Sequence, residues 1–258
     1  YLLQKGRGGY RLGHDRICDH MMLDGLEDAY EPGRSMGTFG EDCAAKYGFT
    51  RAEQDAFATA SVERAKAATA SGAFAAEITP VTVKSRAGET VVSVDEGPGK
   101  VKLDKIASLK PAFKKDGTIT AASSSSINDG AAALVMMRAS TATKLGCKPL
   151  ARIVGHATHA QEPEWFATAP LGATQKALAK AGWAVGDVDL WEINEAFAVV
   201  PMALMKELNL PHDKVNVNGG ACALGHPIGA SGARIMVTLI HALKARGLTK
   251  GLATLCIG

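Results

Sequence analysis

Three short motifs in the second half of this 258-residue chain carry side chains suited to acyl-group chemistry. The first, Asn218-Gly219-Gly220-Ala221-Cys222-Ala223-Leu224-Gly225-His226-Pro227-Ile228-Gly229, sets a histidine in a glycine-rich loop directly ahead of a predicted helix. Glycines let backbone approach a ligand closely. A helix N-terminus favours anions and disfavours an imidazolium. His226 therefore reads as a neutral imidazole able to hydrogen-bond a developing oxyanion, against the plain alternative of a structural or surface histidine. In Asn194-Glu195-Ala196-Phe197, Asn194 precedes a predicted helix. It is either a simple N-cap or a residue that also positions a water or an oxyanion. Cys256 closes an apolar run and by itself reads as an inert core thiol. The Ile257-Gly258 that follows adds a strand-end N–H, and a thiol of lowered pKa beside such a donor moves protons near neutrality. Cys18, Cys43, Cys147 and Cys222 stand in no comparable motif and read as structural.

These groups need a scaffold, and the downstream pattern supplies one. Residues 150–154, 188–193, 215–217 and 252–257 read as strands. Residues 173–181, 195–208 and 231–246 read as helices, with Gly182 ending the first and Asn194 capping the second. The alternation argues for a layered α/β domain. Upstream, Thr50-Arg51-Ala52-Glu53 is a capping box heading a helix that runs to the Gly72 region. Residues 78–94 are β-branched around Ala87-Gly88 and predict a hairpin. Pro98 and Pro111 break up residues 95–117. Residues 131–137 are apolar without alternation, as in a central strand buried on both faces. Residues 1–42 read as a loop-like opening with Lys5, Arg7, Arg11, His14 and Arg16. This is a solvated loop or subunit contact, or less simply an anion site.

Composition bounds the function. The chain is 47% hydrophobic and 21% charged, with a net charge of +3, which argues against a nucleic-acid binder and suits anionic substrates. No apolar stretch is long enough to span a membrane. Five scattered cysteines with no CxxC and no metal-ligand spacing predict reduced thiols, no metal site and a cytoplasmic setting. The chain starts at a tyrosine and stops one residue after a strand-like run, so it is expected to be part of a longer protein.

Taken in order, Asn194-Glu195-Ala196-Phe197-Ala198, Gly225-His226-Pro227-Ile228-Gly229 and Cys256-Ile257-Gly258 resemble the three C-terminal signatures of thiolases. Ser125-Ser126-Ile127-Asn128-Asp129-Gly130-Ala131-Ala132 resembles that family's coenzyme A loop, and Arg7-Gly8-Gly9-Tyr10-Arg11-Leu12-Gly13 its loop-domain segment. The resemblance runs the length of the chain. It implies the thiolase fold, layered α-β-α-β-α, without the first part of the N-terminal domain and the last strand. Residues 1–118 would be the loop domain for tetramer contacts and coenzyme A binding, 119–147 the end of the N-terminal domain, and 148–258 the C-terminal domain.

The implied reaction is Claisen condensation of two acetyl-CoA to acetoacetyl-CoA and coenzyme A, or its reverse, through an acyl-cysteine. Coenzyme A is substrate or product, with no further cofactor. Under the resemblance His226 activates the nucleophilic cysteine and helps bind the thioester oxygen. Cys256 is the acid/base at the α-carbon, Asn194 holds a water in one oxyanion hole, and the Gly258 N–H serves the other. Preorganised donors of this kind are worth a few kcal/mol each. Ser125, Phe113, Ala196 and Phe197 would contact coenzyme A. Phe166 resembles the residue found in members that accept a 2-methyl branch; otherwise it simply packs.

Two departures stand out. Ser123 to Ser126 replace the more usual Asn-Ala-Ser-Gly, and the Cys-Gly-Ser-Gly-like motif of the nucleophile is absent from the sequence. This chain alone is therefore expected not to turn over. The alternatives are a degradative 3-ketoacyl-CoA thiolase for longer chains and a non-catalytic acyl-CoA-binding fragment. Homodimers or homotetramers are the assemblies implied.

Overall fold

The computed structural model describes residues 1–257. The first α-helix, α1 (Met36–Tyr47), begins inside the 1–42 stretch expected to be loop and runs past its end. Glycines and acidic residues conceal it in sequence, but it buries Phe39, Cys43 and Ala44 and closes on Gly48 at φ 68°. Buried Glu41 accepts from the backbone N–H groups of Thr118 and Ile119, each at 2.9 Å, and so ties α1 to the distant 118–119 segment. Next comes α2 (Arg51–Ala70), with the predicted capping box between Thr50 and Glu53 formed in full.

The predicted hairpin is also present. Strands β1 (Val81–Ser85) and β2 (Gly88–Val92) pair antiparallel, with Val83 opposite Thr90, and both are exposed along their length. Two short helices, α3 (Gly97–Lys100) and α4 (Ala139–Lys144), punctuate the middle of the chain.

From residue 163 the packing tightens. A 3-10 turn at Pro163–Thr168 leads into α5 (Ala169–Ala181), which ends on Gly182 in the left-handed conformation, as its sequence predicts. Strand β3 (Leu190–Ile193) pairs parallel to β4 (Gly251–Thr254), with Trp191 opposite Leu252. Asp189 fixes the start of this pair by accepting from the N–H groups of Thr249 and Lys250 at 3.0 and 2.8 Å. Between the two strands run α6 (Val199–Leu208), α7 (Ala221–Leu224) and α8 (Ile228–Arg246).

All four β3 residues are buried. Successive side chains of a strand point to opposite faces. Leu190 packs with Leu239 and Ala242 of α8, whereas Trp191 and Ile193 join the main core with Phe39, Val199, Leu204 and Cys256.

Several sequence expectations do not hold. Residues 131–137 and 150–154 form no strand and are largely exposed; Val135 is 89% exposed. A strand needs a hydrogen-bonding neighbour, and among the described residues none lies beside either stretch. Residues 215–217 provide only an isolated bridge from Val215 to Trp191. The helix expected from residue 195 starts at Val199, so Asn194 is not its cap. Asn194 instead extends the sheet, donating its N–H to the Thr254 carbonyl at 3.0 Å. Conversely α8 starts at Ile228, three residues earlier than read, which brings His226 to the threshold of the helix. Cys256 lies just past the end of β4 rather than within it.

Candidate active site

The parallel strands β3 and β4 both run out at the same edge of their sheet, where open α/β sheets place ligands. Asn194 follows β3 there, and Cys256 lies two residues beyond Thr254, the carbonyl partner of Asn194.

The glycine-rich loop brings the third group across. Gly225 has φ 83°, and a Cβ on it would collide with the Asn128 side chain. The position therefore requires glycine for backbone and for space. His226 next donates its N–H to the Ser126 carbonyl at 3.0 Å. Its ring lies between two partners: Nε2 is 3.3 Å from Asn194 Nδ2, and Nδ1 is 2.6 Å from Ser231 Oγ. Burial pulls the imidazole pKa below its ordinary value, and nearby Arg234 adds to that. A neutral ring is thus the resting form, as expected from the sequence. Asn194 is 1% exposed, and its Oδ1 is buried with no protein partner. An orphaned acceptor of this kind calls for a water or a ligand donor.

Cys256 is buried in the main core, and burial pushes its thiol up to about 12. The sequence expectation of a lowered thiol pKa is therefore not met in this structure, because the surroundings are apolar and no cation faces the sulfur. The thiol is held protonated, ready as a proton donor. Gly258 lies outside the described residues.

The serine run connects the motifs. Ser123 and Ser125 pair with the Asn194–Ala198 segment: Ala198 N–H donates to Ser123 O at 2.8 Å, and Ser125 N–H donates to Ala196 O at 3.0 Å. The Ser125 hydroxyl also donates to Ala196 O at 3.0 Å. Ser126 then receives the His226 N–H. The run thus stitches the asparagine motif to the histidine loop, a role its composition does not announce. Ala196 is half-buried beside it. Phe197 is buried and meets Phe113 edge-to-face at 5.7 Å. Phe166 is buried and packs edge-to-face on Phe39 at 6.0 Å, inside the main core.

Two supporting residues escape a reading by motif. Glu195 is fully buried, and its carboxylate accepts from Ser61 Oγ and Asn216 Nδ2 at 2.7 Å and from Cys222 N at 3.0 Å. Asn216 (φ 47°) behaves like a missing strand residue. Its side chain accepts from Ile193 N and donates to Ile193 O, both at 2.8 Å. The only sequence signal for this network is polarity where apolar residues are expected. Among the described residues, no cluster of His, Cys, Asp or Glu could hold a metal ion, and no helix is long and apolar enough to cross a membrane.

Comparison with known proteins bears on this geometry. The family model "Thiolase, N-terminal domain" matches residues 1–140, and "Thiolase, C-terminal domain" matches residues 147–258. An acetyl-CoA acetyltransferase of Chromobacterium violaceum is 52% identical over 260 residues, covering 100% of this chain and 66% of that protein. One from Escherichia coli (strain K12) is 52% identical with the same coverages, and one from Rhizobium meliloti is 51% identical over 98% of this chain and 64% of its own length. The crystal structure of the Bacillus anthracis acetyl-CoA acetyltransferase superposes with a TM-score of 0.96 at 47% identity, covering 100% of this chain and 65% of that one. The fold expectation, α/β with thiolase architecture, therefore holds. The chain spans about two thirds of the length of these relatives.

Proposed function

The chain belongs to the thiolase family, and from that premise we propose that it is the portion of an acetyl-CoA C-acetyltransferase that carries the coenzyme A contacts and the acid–base half of the site. The observation that carries the proposal is the Asn194–His226 contact at 3.3 Å at the edge where β3 and β4 end, with Cys256 two residues past Thr254, the carbonyl partner of Asn194.

In this reading a cysteine supplied by polypeptide beyond this sequence gives its proton to His226 and attacks the acetyl-CoA carbonyl. The thioester C–S bond breaks, and coenzyme A leaves as the thiol by taking the Cys256 proton, which generates the Cys256 thiolate. Neutral His226 is suited to accept the nucleophile's proton, since burial keeps the resting ring uncharged. Asn194 orders a water through its orphaned Oδ1, and this water with His226 stabilises the enolate oxygen of the second acetyl-CoA. The Cys256 thiolate removes the α-proton in condensation, and the thiol returns it in the reverse direction. Burial opposes the thiolate, so binding of the substrate thioester must lower that cost. The Gly258 N–H serves the other oxyanion hole. Phe113, Phe197, Ala196 and Ser125 line the approach for pantetheine. Phe166 acts from the core by shaping the wall behind the acyl group. Its test is turnover of acetoacetyl-CoA against the 2-methyl analogue before and after Phe166→Met. The reading further places the protein in the cytoplasm as a homodimer or homotetramer.

The experiment is thiolysis of acetoacetyl-CoA by this chain alone and by the same chain fused behind the N-terminal portion of the Chromobacterium relative. The expected result is no turnover alone and turnover in the fusion, lost by at least about a hundredfold in His226→Asn. Turnover by the isolated chain would overturn the assignment of the nucleophile. An inactive but folded fusion would overturn the assignment of the reaction.

A further inference from the structure

Ser231 lies in the first turns of α8, fully buried, and the motif reading gives it no role. Its hydroxyl has two neighbours: the Pro227 carbonyl at 3.0 Å and His226 Nδ1 at 2.6 Å. A hydroxyl carries one proton, and a carbonyl only accepts. Donation to the carbonyl four residues back is the ordinary habit of a helical serine. With its proton committed to Pro227 O, the Ser231 oxygen offers only lone pairs to the ring, and the short contact to Nδ1 then requires a proton on Nδ1. The other nitrogen agrees, because Nε2 faces the NH2 of Asn194 at 3.3 Å, a donor that needs a lone pair on the ring. The opposite arrangement would leave two oxygens 3.0 Å apart with no proton between them and would require the Asn194 amide to turn over.

We propose that Ser231 is a positioning residue that fixes His226 as the Nδ1–H tautomer and keeps the Nε2 lone pair turned into the site. The proposal rests on the reading of His226 as the base for a thiol. When Nε2 takes the proton, the imidazolium still donates from Nδ1 to Ser231 Oγ, so the same contact orients the neutral ring and stabilises the charged one. The pattern is base plus orienting partner, with a serine hydroxyl in place of a carboxylate. A carboxylate would raise the ring pKa. A neutral hydroxyl orients the ring while leaving it uncharged at rest.

The test reads the tautomer directly, by nitrogen NMR of the histidine-labelled chain, with the His226 signal identified by its loss in His226→Asn. The expected outcome is Nδ1–H in the wild-type chain, retention in Ser231→Thr, and a shift to Nε2–H in Ser231→Ala. A wild-type Nε2–H ring overturns the proposal, as does an unchanged tautomer in a folded Ser231→Ala. If the Ala variant does not fold, the wild-type and Thr spectra decide. In the active fusion, Ser231→Ala should lower kcat/KM about tenfold, the worth of one lost hydrogen bond, with Ser231→Thr close to wild type. An Nδ1–H tautomer in a folded fusion with no thiolytic activity would leave the positioning intact and refute the reaction instead.

Discussion

The edge where β3, β4 and α8 meet and the stretch from residue 127 to residue 154 are both rich in apolar residues, yet they adopt opposite structures. At the first, even polar side chains are buried, and most have assigned partners. Glu195 has three hydrogen-bond donors, Asn216 replaces a strand neighbour, and the Ser123–Ser126 run ties two motifs together. At the second, Val135, Met136 and Leu150 stand open to solvent on backbone with no ladder partner among the described residues. Apolar character alone does not make a strand. A run of such residues becomes one when another backbone edge is present to satisfy its N–H and C=O groups.

The contrast predicts a graded set of effects on thermal or denaturant unfolding. The largest is expected at Gly225. Gly225→Ala combines a positive φ with a collision against Asn128, and should destabilise the chain by about 3 kcal/mol and loosen the His226 loop. A change under about 0.5 kcal/mol would show that the loop is not held as described.

Ser61→Ala should cost about 1–3 kcal/mol, because it removes one donor to buried Glu195 and the acceptor of the Gly220 N–H. The double variant Ser61→Ala, Glu195→Gln should then deviate from additivity if the two form one network.

Glu192 gives a pH-dependent test. It sits on β3 facing Arg234 at 3.7 Å, and burial raises its carboxyl to about 8 against the pull of that arginine. A folded pKa above the unfolded one adds stability that is complete below the ordinary carboxylate range, declines as pH rises, and is gone once pH exceeds about 8. Glu192→Gln should therefore lose less Tm than wild type between about pH 5 and about pH 9. Parallel curves would mean the carboxyl is ionised in the folded protein.

The smallest effect belongs to the open stretch. Val135→Lys should change the stability of this chain by less than about 0.5 kcal/mol. A larger loss would show that residues 131–137 pack in solution and would dissolve the contrast.

The same contrast separates what was readable in sequence from what was not. The α2 capping box, the hairpin turn at Ala87-Gly88 and the Gly182 stop are local, and they appear where the residues place them. Local signals suffice because a cap or turn is satisfied by atoms a few residues away. Sequence and structure part where the partner is distant. Helix α1 is hidden in sequence because the residues it packs on, in the 163–168 turn and α6, lie more than a hundred residues away, and its Ser35 N-cap makes no side-chain hydrogen bond. Glu195 stands outside the helix that its local pattern predicts, because its partners Ser61, Asn216 and Cys222 come from three separate segments.

For the site, sequence alone determined the residue types and their order: an asparagine after a strand, a histidine between glycine and proline, a cysteine after the last strand. Gly225 and the start of α8 set the turn of the His226 loop locally, while Ser126 and Asn128 hold it from a distant segment. Tertiary structure decided the rest. It placed Asn194 beside Nε2, Ser231 beside Nδ1 and Cys256 in an apolar core that holds its thiol protonated. Residue type fixes what a group can donate or accept. Which proton it holds depends on neighbours and burial, and these exist only once the distant segments have packed together.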